Sequence, residues 1–189
     1  MDQFDEIQLT QEEQSEFEKL QTIKYYKKGE VLLNQNQPLD RYFYVINGCV
    51  RSYRLIDDQE VTMEFYTKGQ SVLPAVINKN IRSSCYVVCL EDSELGVVDQ
   101  KMEDTVFRQF PRLKQVCLST SETLLLDQQR EHLRWKSSTL EQRYIHLLKT
   151  RADLLNRVPH YQIAQYLGVK PESLSRLRKK LDDKGVSYI

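Results

Sequence analysis

The chain has 189 residues, of which 40% are hydrophobic, enough to bury an ordinary core as one large domain or as a medium domain with a small one. Its net charge is zero, but residues 1–110 hold 12 Lys and Arg against 19 Asp and Glu, whereas residues 111–189 hold 15 against 8. The excess of basic residues in the second half is suited to binding a polyanion. No apolar run approaches the roughly 18 residues of a membrane span, and the N-terminus is polar. We therefore predict a cytoplasmic protein without a membrane partner.

The cysteines are scattered through apolar stretches of the chain. Cys49, Cys85, Cys89 and Cys117 form no CxxC pair. Such spacing favours reduced, buried thiols over a disulfide framework or a metal site. We therefore predict no bound metal.

The first 110 residues read as one short helix followed by strands. Thr10 and Glu13 form a TxxE capping box, which predicts a helix that begins here. After Tyr26, short segments rich in Val, Ile, Tyr and Phe alternate with turn residues. These segments are EVLLNQ, RYFYVING, CVRSYRLID, EVTMEFYTKG, SCYVVCLE and SELGVVD. Strands at this spacing indicate a small antiparallel barrel or sandwich.

A long helix is predicted next, because Pro111 suits the first turn of a helical pattern that reaches about Lys136. Its apolar stripe consists of Leu113, Val116, Cys117, Thr120, Leu124 and Leu133. One interpretation is that the stripe only covers the barrel. Since Leu124, Leu125 and Leu126 make the helix apolar on more than one side, we favour a helix that packs on the barrel and also pairs with its counterpart in a second chain.

The following helix also has a start signal in the sequence. Ser138 and Glu141 form a second capping box, which predicts that the helix begins here. The residues predicted to form its buried side are Tyr144, Ile145, Leu147, Leu148 and Leu154.

The segment VPHYQIAQYLGVKPESLSRLRKKL indicates a helix, a short turn and a second helix. Pro159 suits the first turn of a helix whose inward residues are Ile163, Ala164 and Leu167. Gly168 permits the tight turn, and Pro171 begins a second helix in which Leu174, Leu177 and Leu181 recur at helical spacing. Polar and basic residues remain on the opposite face, at the end of the helix that enters a major groove in helix-turn-helix proteins.

This polar face supplies the candidate DNA contacts. Glu172, Ser173 and Arg176 are the candidates that read bases: Arg176 suits a bidentate contact to guanine O6 and N7, and Glu172 an acceptor for cytosine N4. The candidates for backbone phosphates, which set position and affinity but not sequence, are Lys170, Ser175, Arg178, Lys179 and Lys180. The hydroxyls of Ser173 and Ser175 suit either role. The alternative is a solvated basic helix face.

With its IAQYLGV and ESLSRLRKKL motifs, the same segment resembles the DNA-binding end of the Crp/Fnr family of bacterial transcription regulators, in particular the divergent branch common in Bacteroidetes. The upstream stretch KKGEVLLNQNQPLDRYFYVINGCV is similar to the family's cyclic-nucleotide-binding type of β-roll. The resemblance covers nearly the whole chain. By this similarity Glu172, Ser173 and Arg176 match the positions that read bases.

The resemblance implies an α+β protein in three parts. These are an antiparallel β-roll sensor domain (1–110), a long dimerisation helix (111–137) and a winged helix-turn-helix (138–189), with LDDKGVSYI beginning a short wing. The implied partners are double-stranded DNA with a two-fold symmetric operator, a second copy of the chain and RNA polymerase.

The region that holds a ligand in cyclic AMP-binding relatives departs from the family pattern. Arg82 and Ser83 resemble the pair that binds the cyclic phosphate, but Leu73 and Pro74 stand about where the resemblance implies a glutamate for the ribose hydroxyl. Without a carboxylate, that hydroxyl has no charge-assisted partner. We therefore expect no binding of cyclic AMP and predict no cofactor; the effector stays unassigned.

Two other classes compete with a regulator. An enzyme is disfavoured because the sequence has no HExxH, GxSxG, GxxxxGK[ST] or GxGxxG motif. The second is a non-catalytic β-roll module that binds a small molecule or a protein without specific DNA recognition. An iron–sulfur sensor of the family is excluded because no cysteine precedes Cys49, and a haem ligand is disfavoured because the three histidines lie in the helical half.

Overall fold

The computed structural model describes residues 10–72 and 82–183. The first part contains α1 (Gln11–Leu20), β1 (Gln21–Tyr26), β2 (Val31–Leu33), β3 (Arg41–Asn47), β4 (Cys49–Ile56), β5 (Gln59–Thr67), β6 (Ser71–Val72), β7 (Tyr86–Cys89), β8 (Ser93–Asp99) and α2 (Gln100–Gln109). The second part contains α3 (Pro111–Ser137), α4 (Leu140–Thr150), α5 (Asp153–Arg157), α6 (His160–Tyr166) and α7 (Pro171–Asp183). This arrangement confirms the α+β class.

The eight strands form two antiparallel sheets, together called the roll below. The strand orders are β1-β8-β3-β6 and β2-β7-β4-β5. The roll's buried core contains Leu32, Leu33, Phe43, Val45, Val50, Tyr66, Val72, Val87, Cys89, Leu95 and Val97. In β4, Val50 contributes to this core, whereas the neighbouring Cys49 packs in a cluster with the C-terminal helices. Side chains alternate along a strand, so the sheet β2-β7-β4-β5 has apolar contacts on both of its faces.

The sequence patterns did not predict strand β1. This strand pairs with β8 at the edge of its sheet, and its four middle residues are exposed. The six segments predicted as strands were recognised after Tyr26 by their Val, Ile, Tyr and Phe content between turn residues, and neither β1 nor the two-residue β6 was among them.

The long helix α3 confirms the predicted helix but divides its apolar residues between two faces. Leu113 and Val116 are buried, and Leu113 packs with Leu20 of α1 and Val106 of α2. They therefore cannot also form a dimer surface. The exposed leucines are Leu118, Leu125, Leu126 and Leu133, at 50–68% exposure. At 100° per residue these four fall within about 100° on one face, which we call the leucine face. Of the stripe predicted from sequence, only Leu133 lies on this face, and the other members are buried or partly buried.

Two further predictions are corrected at helix ends. The capping box of α4 consists of Thr139 and Gln142, one residue later than predicted. Ser138 serves α3 instead, because its hydroxyl donates to the carbonyl oxygen of Arg134 at 2.6 Å. Of the segment 181–189 predicted to begin a wing, residues 181–183 belong to α7, and the others lie outside the described residues.

The cysteines are free thiols: Cys49, Cys85 and Cys89 are buried and Cys117 is partly buried. Burial raises the pKa of Cys49 to about 12 and that of Cys89 to about 11, which keeps both thiols protonated.

Over residues 10–72 and 82–183, no group of three or more His, Cys, Asp or Glu side chains is placed to hold a metal ion. In the same ranges, no helix is long and apolar enough to cross a membrane.

The turn between β3 and β4 generates a stability prediction. Gly48 has a φ of +112°, and a Cβ added there would lie 2.2 Å from the Oγ of Ser93 and 2.8 Å from its Cα. Gly29 has a φ of +85° but nothing within 4 Å of an added Cβ. We expect Gly29→Ala to lower the free energy of unfolding by about 1–2 kcal/mol, the cost of left-handed backbone, and Gly48→Ala to lower it further because of the collision. If urea denaturation shows that the two substitutions lower the free energy of unfolding equally, this explanation is wrong.

Candidate nucleic-acid interface

Helices α6 and α7 are the two helices predicted on either side of the turn at Gly168. Ile163 and Ala164 of α6 are buried, as are Leu174, Leu177 and Leu181 of α7, and all five belong to one cluster. In the turn, Gly168 has a φ of +71°, and the amide of Val169 donates to the carbonyl oxygen of Ala164 at 3.0 Å. The positive φ explains why a glycine ends the first helix. The two helices are therefore held in a fixed relation by a shared core.

The face of α7 opposite this core is exposed. Glu172 and Arg176, two of the residues predicted to read bases, lie on it one turn apart. The Nε of Arg176 lies 3.4 Å from the carbonyl oxygen of Glu172, a weak hydrogen bond that directs the guanidinium back along the helix. Ser173, the third predicted base reader, is partly buried beside this face.

Of the predicted phosphate-binding residues, some are exposed and two contact another side chain of the chain. Lys170, Ser175 and Lys179 are exposed. Lys180 pairs with Glu141 of α4, with Nζ 3.1 Å from Oε2. Arg178 is partly buried, and its Nη1 lies 2.7 Å and 2.9 Å from the two ring nitrogens of His160.

Sequence reasoning missed the partners of these two basic residues. Glu141 and His160 are 39 and 18 positions away from the residues they contact, so no local pattern could have identified them. Ser175, Arg178 and Lys179 also border one depression of about 290 Å³ beside α6. The flank of α7 therefore carries three of the predicted phosphate contacts next to each other.

The two candidate ligand residues of the roll are engaged within the chain. Arg82 is exposed, and its Nη1 donates to the carbonyl oxygen of Asn36 at 2.8 Å. Ser83 is fully buried, and its hydroxyl donates to the carbonyl oxygen of Cys85 at 2.5 Å. The hydroxyl of Ser83 therefore serves the local backbone. Leu73 and Pro74 lie outside the described residues.

Comparisons with known proteins address both parts of the chain. Residues 23–110 match the family Cyclic nucleotide-binding domain. No curated protein matches the sequence.

Solved structures match nearly the whole chain. The match to FixK2 from Bradyrhizobium japonicum covers 87% of this chain and 86% of FixK2, with 18% identity and a TM-score of 0.70. The c-di-GMP responsive global regulator CLP from Xanthomonas campestris matches over 90% of this chain and 91% of its own, with 20% identity and a TM-score of 0.67. The Catabolite Activator Protein of Thermus thermophilus matches over 94% and 86%, with 21% identity and a TM-score of 0.53. Residues 23–110 are thus similar to the cyclic nucleotide-binding domain, and the chain as a whole shares its fold with these three solved structures.

Proposed function

We propose that this protein is a cytoplasmic transcription regulator that binds a two-fold symmetric operator in double-stranded DNA as a homodimer. In this proposal residues 1–110 form the sensor domain, 111–137 the dimerisation helix and 138–189 the DNA-binding domain, and RNA polymerase is a partner. The observation that carries the proposal is the exposed face of α7, with Glu172, Arg176 and Lys179 turned away from the shared core of α6 and α7. A recognition helix needs such a face to enter a major groove.

The proposal gives each residue of α7 a different role. Arg176 is assigned to a guanine and Glu172 to a cytosine, because their side chains match the donors and acceptors of those bases. Lys170, Ser175, Arg178, Lys179 and Lys180 are assigned to phosphates. Ser173, which is partly buried, is assigned to a base at the edge of the contact.

The first test separates base readers from phosphate binders. We expect Arg176→Ala to weaken binding to the operator by about 1–3 kcal/mol per half-site and to flatten the preference at one symmetric base pair, with little change on random duplex. Arg54→Ala, which removes an exposed arginine of β4, is the matched control and should change neither. Binding to a duplex library selected with the wild-type protein measures both effects. An unchanged base preference, or an equal loss on both DNAs, would show that α7 is not a recognition helix.

The lysines of α7 should behave differently from Arg176. Lys179→Ala should weaken binding to operator and random duplex alike and lower the slope of log affinity against log salt by roughly one unit per subunit, because one counterion fewer is released. Lys180→Ala should have the smaller effect of the two, since Glu141 already neutralises part of the charge of Lys180. A salt slope that Lys179→Ala leaves unchanged would argue against a phosphate contact.

The dimer is proposed to form through the leucine face of α3. Four leucines at 50–68% exposure are an unusual apolar surface for one helix, and an isologous pairing of two helices would bury it. We expect sedimentation at micromolar concentration to show a dimer that Leu125→Glu shifts to monomer. Gln128→Glu, an exposed position of α3 outside this face, should leave the dimer intact. If the wild-type protein sediments as a monomer, the proposed dimer is wrong, and α3 packs only on the roll of its own chain.

We propose that cyclic AMP is not the effector. The buried hydroxyl of Ser83 is bonded to a backbone carbonyl, and Arg82 holds the backbone at Asn36. We expect cyclic AMP and cyclic GMP to leave the melting temperature unchanged, because a ligand that binds only the folded state must raise it. Operator DNA in the same assay should raise it and serves as the positive control. A saturable rise at sub-millimolar nucleotide would contradict the proposal.

A further inference from the structure

Helix α6 lies against the outside of the roll, and one polar side chain of α6 makes the central contact. The side-chain oxygen of Gln165 accepts two hydrogen bonds, from the Oγ1 of Thr62 at 2.9 Å and from the Nη2 of Arg51 at 3.2 Å. Thr62 and Arg51 lie on the paired strands β5 and β4. A residue of the first DNA-binding helix is therefore bonded to two strands of the roll.

Arg51 is a buried cation, only 2% exposed. Besides Gln165, its Nη1 pairs with the Oε2 of Glu60 at 2.6 Å and its Nε donates to the Oγ1 of Thr62 at 2.9 Å. Its guanidinium also lies 4.7 Å from the ring centre of Tyr53. Because a guanidinium out of water is tolerated only when its donors are satisfied, these contacts restrict where Gln165 can sit.

Aromatic contacts and one further hydrogen bond continue the interface around Gln165. The rings of Phe65 and Tyr166 lie 5.4 Å apart, and Tyr166 lies 5.5 Å from Trp135 at the end of α3. The Nη2 of Arg151 donates to the carbonyl oxygen of Phe65 at 3.0 Å. Helix α6 thus contacts both the roll and the long helix, which leaves it little freedom to turn.

The docked position of α6 is compatible with reading DNA. Gln165 and Tyr166 of α6 contact the roll, whereas Glu172, Arg176 and Lys179 of α7 stay exposed. Since α6 and α7 share one core, a fixed α6 also fixes the direction of α7.

We propose that Gln165 and Arg51 are positioning residues that set the direction of the recognition helix relative to the roll, and through it the spacing of the two half-sites that a dimer accepts. This inference rests on the proposed function. A helix-turn-helix dimer matches half-sites about 34 Å apart or multiples of one turn, so the spacing is sensitive to the angle of each recognition helix. Neither residue is assigned a contact with DNA.

The experiment compares three side chains at position 165 in the full chain. Gln165→Glu keeps an oxygen that accepts from Arg51 and Thr62, whereas Gln165→Met keeps a similar length without an acceptor. Each protein is bound to operators in which the spacing of the half-sites changes by single base pairs. Gln128→Met, at an exposed position of α3, is the matched control.

We expect wild-type protein, Gln165→Glu and Gln128→Met to share one sharp optimum of spacing. Gln165→Met should bind the optimal operator about tenfold more weakly and tolerate altered spacings better, with unchanged base preference and salt slope, because the contacts of α7 stay intact. A purely structural defect would not broaden the tolerated spacing. If Gln165→Met lowers the salt slope or flattens one base preference, Gln165 contacts DNA itself and the inference fails.

Trp135 provides a readout without DNA, because it is the chain's single tryptophan and packs on Tyr166. We expect Gln165→Met, but not Gln165→Glu, to make Trp135 fluorescence more sensitive to acrylamide. If Gln165→Met leaves acrylamide quenching unchanged, or binds DNA with the same spacing optimum as the wild type, the positioning role is refuted. The proposed function would not be affected by either result. A wild-type protein that binds no duplex would instead refute the proposed function, and the spacing inference with it.

Discussion

The burial of α6 against the outer face of the roll is the contact on which the rest of the structure depends. Helices α4 to α7 span residues 140–183, a length at which an isolated apolar core is marginal. Cys49 and Phe65 of the roll complete this core, since they pack in the same cluster as Leu154, Ile163 and Leu174. The strands β4 and β5 therefore serve two cores at once, one on each face of their sheet. Any force that moved α6 away would expose apolar surface on both partners.

The division of charge along the chain also has a role inside the molecule. Arg157 of α5 pairs with Glu91 of the roll, with Nε 3.2 Å from Oε2, and Arg151 lies 3.7 Å from Glu64. Lys180 is likewise engaged by Glu141. Part of the basic excess of the C-terminal half thus neutralises acidic residues of the same chain. Arg176 and Lys179 remain exposed on α7.

The structure shows which sequence signals were reliable and why. The start of α1 at Thr10, the proline at the start of α3 and the glycine between α6 and α7 were predicted because capping, proline geometry and positive φ act within four residues. The stripe predicted on α3 was wrong for Leu133 alone, since Leu113, Val116, Cys117, Thr120 and Leu124 are buried or partly buried. Leu113 and Leu133 are 20 positions apart and so lie on nearly opposite faces of the helix, and α1 and α2 cover the face of Leu113 whereas Leu133 is 68% exposed.

The sequence by itself determined most of the elements, the tight turn at Gly168 and the residues on the exposed face of α7, because each depends on periodicities and turns that are local in the chain. Only the tertiary structure decided what surrounds these residues. Gln165 and Arg51 are 114 positions apart, and Lys180 and Glu141 are 39 apart, yet both pairs are in contact. The sequence places no constraint on such pairs until the folded backbone brings them together. Local patterns therefore could not predict the contacts that hold α6 against the roll.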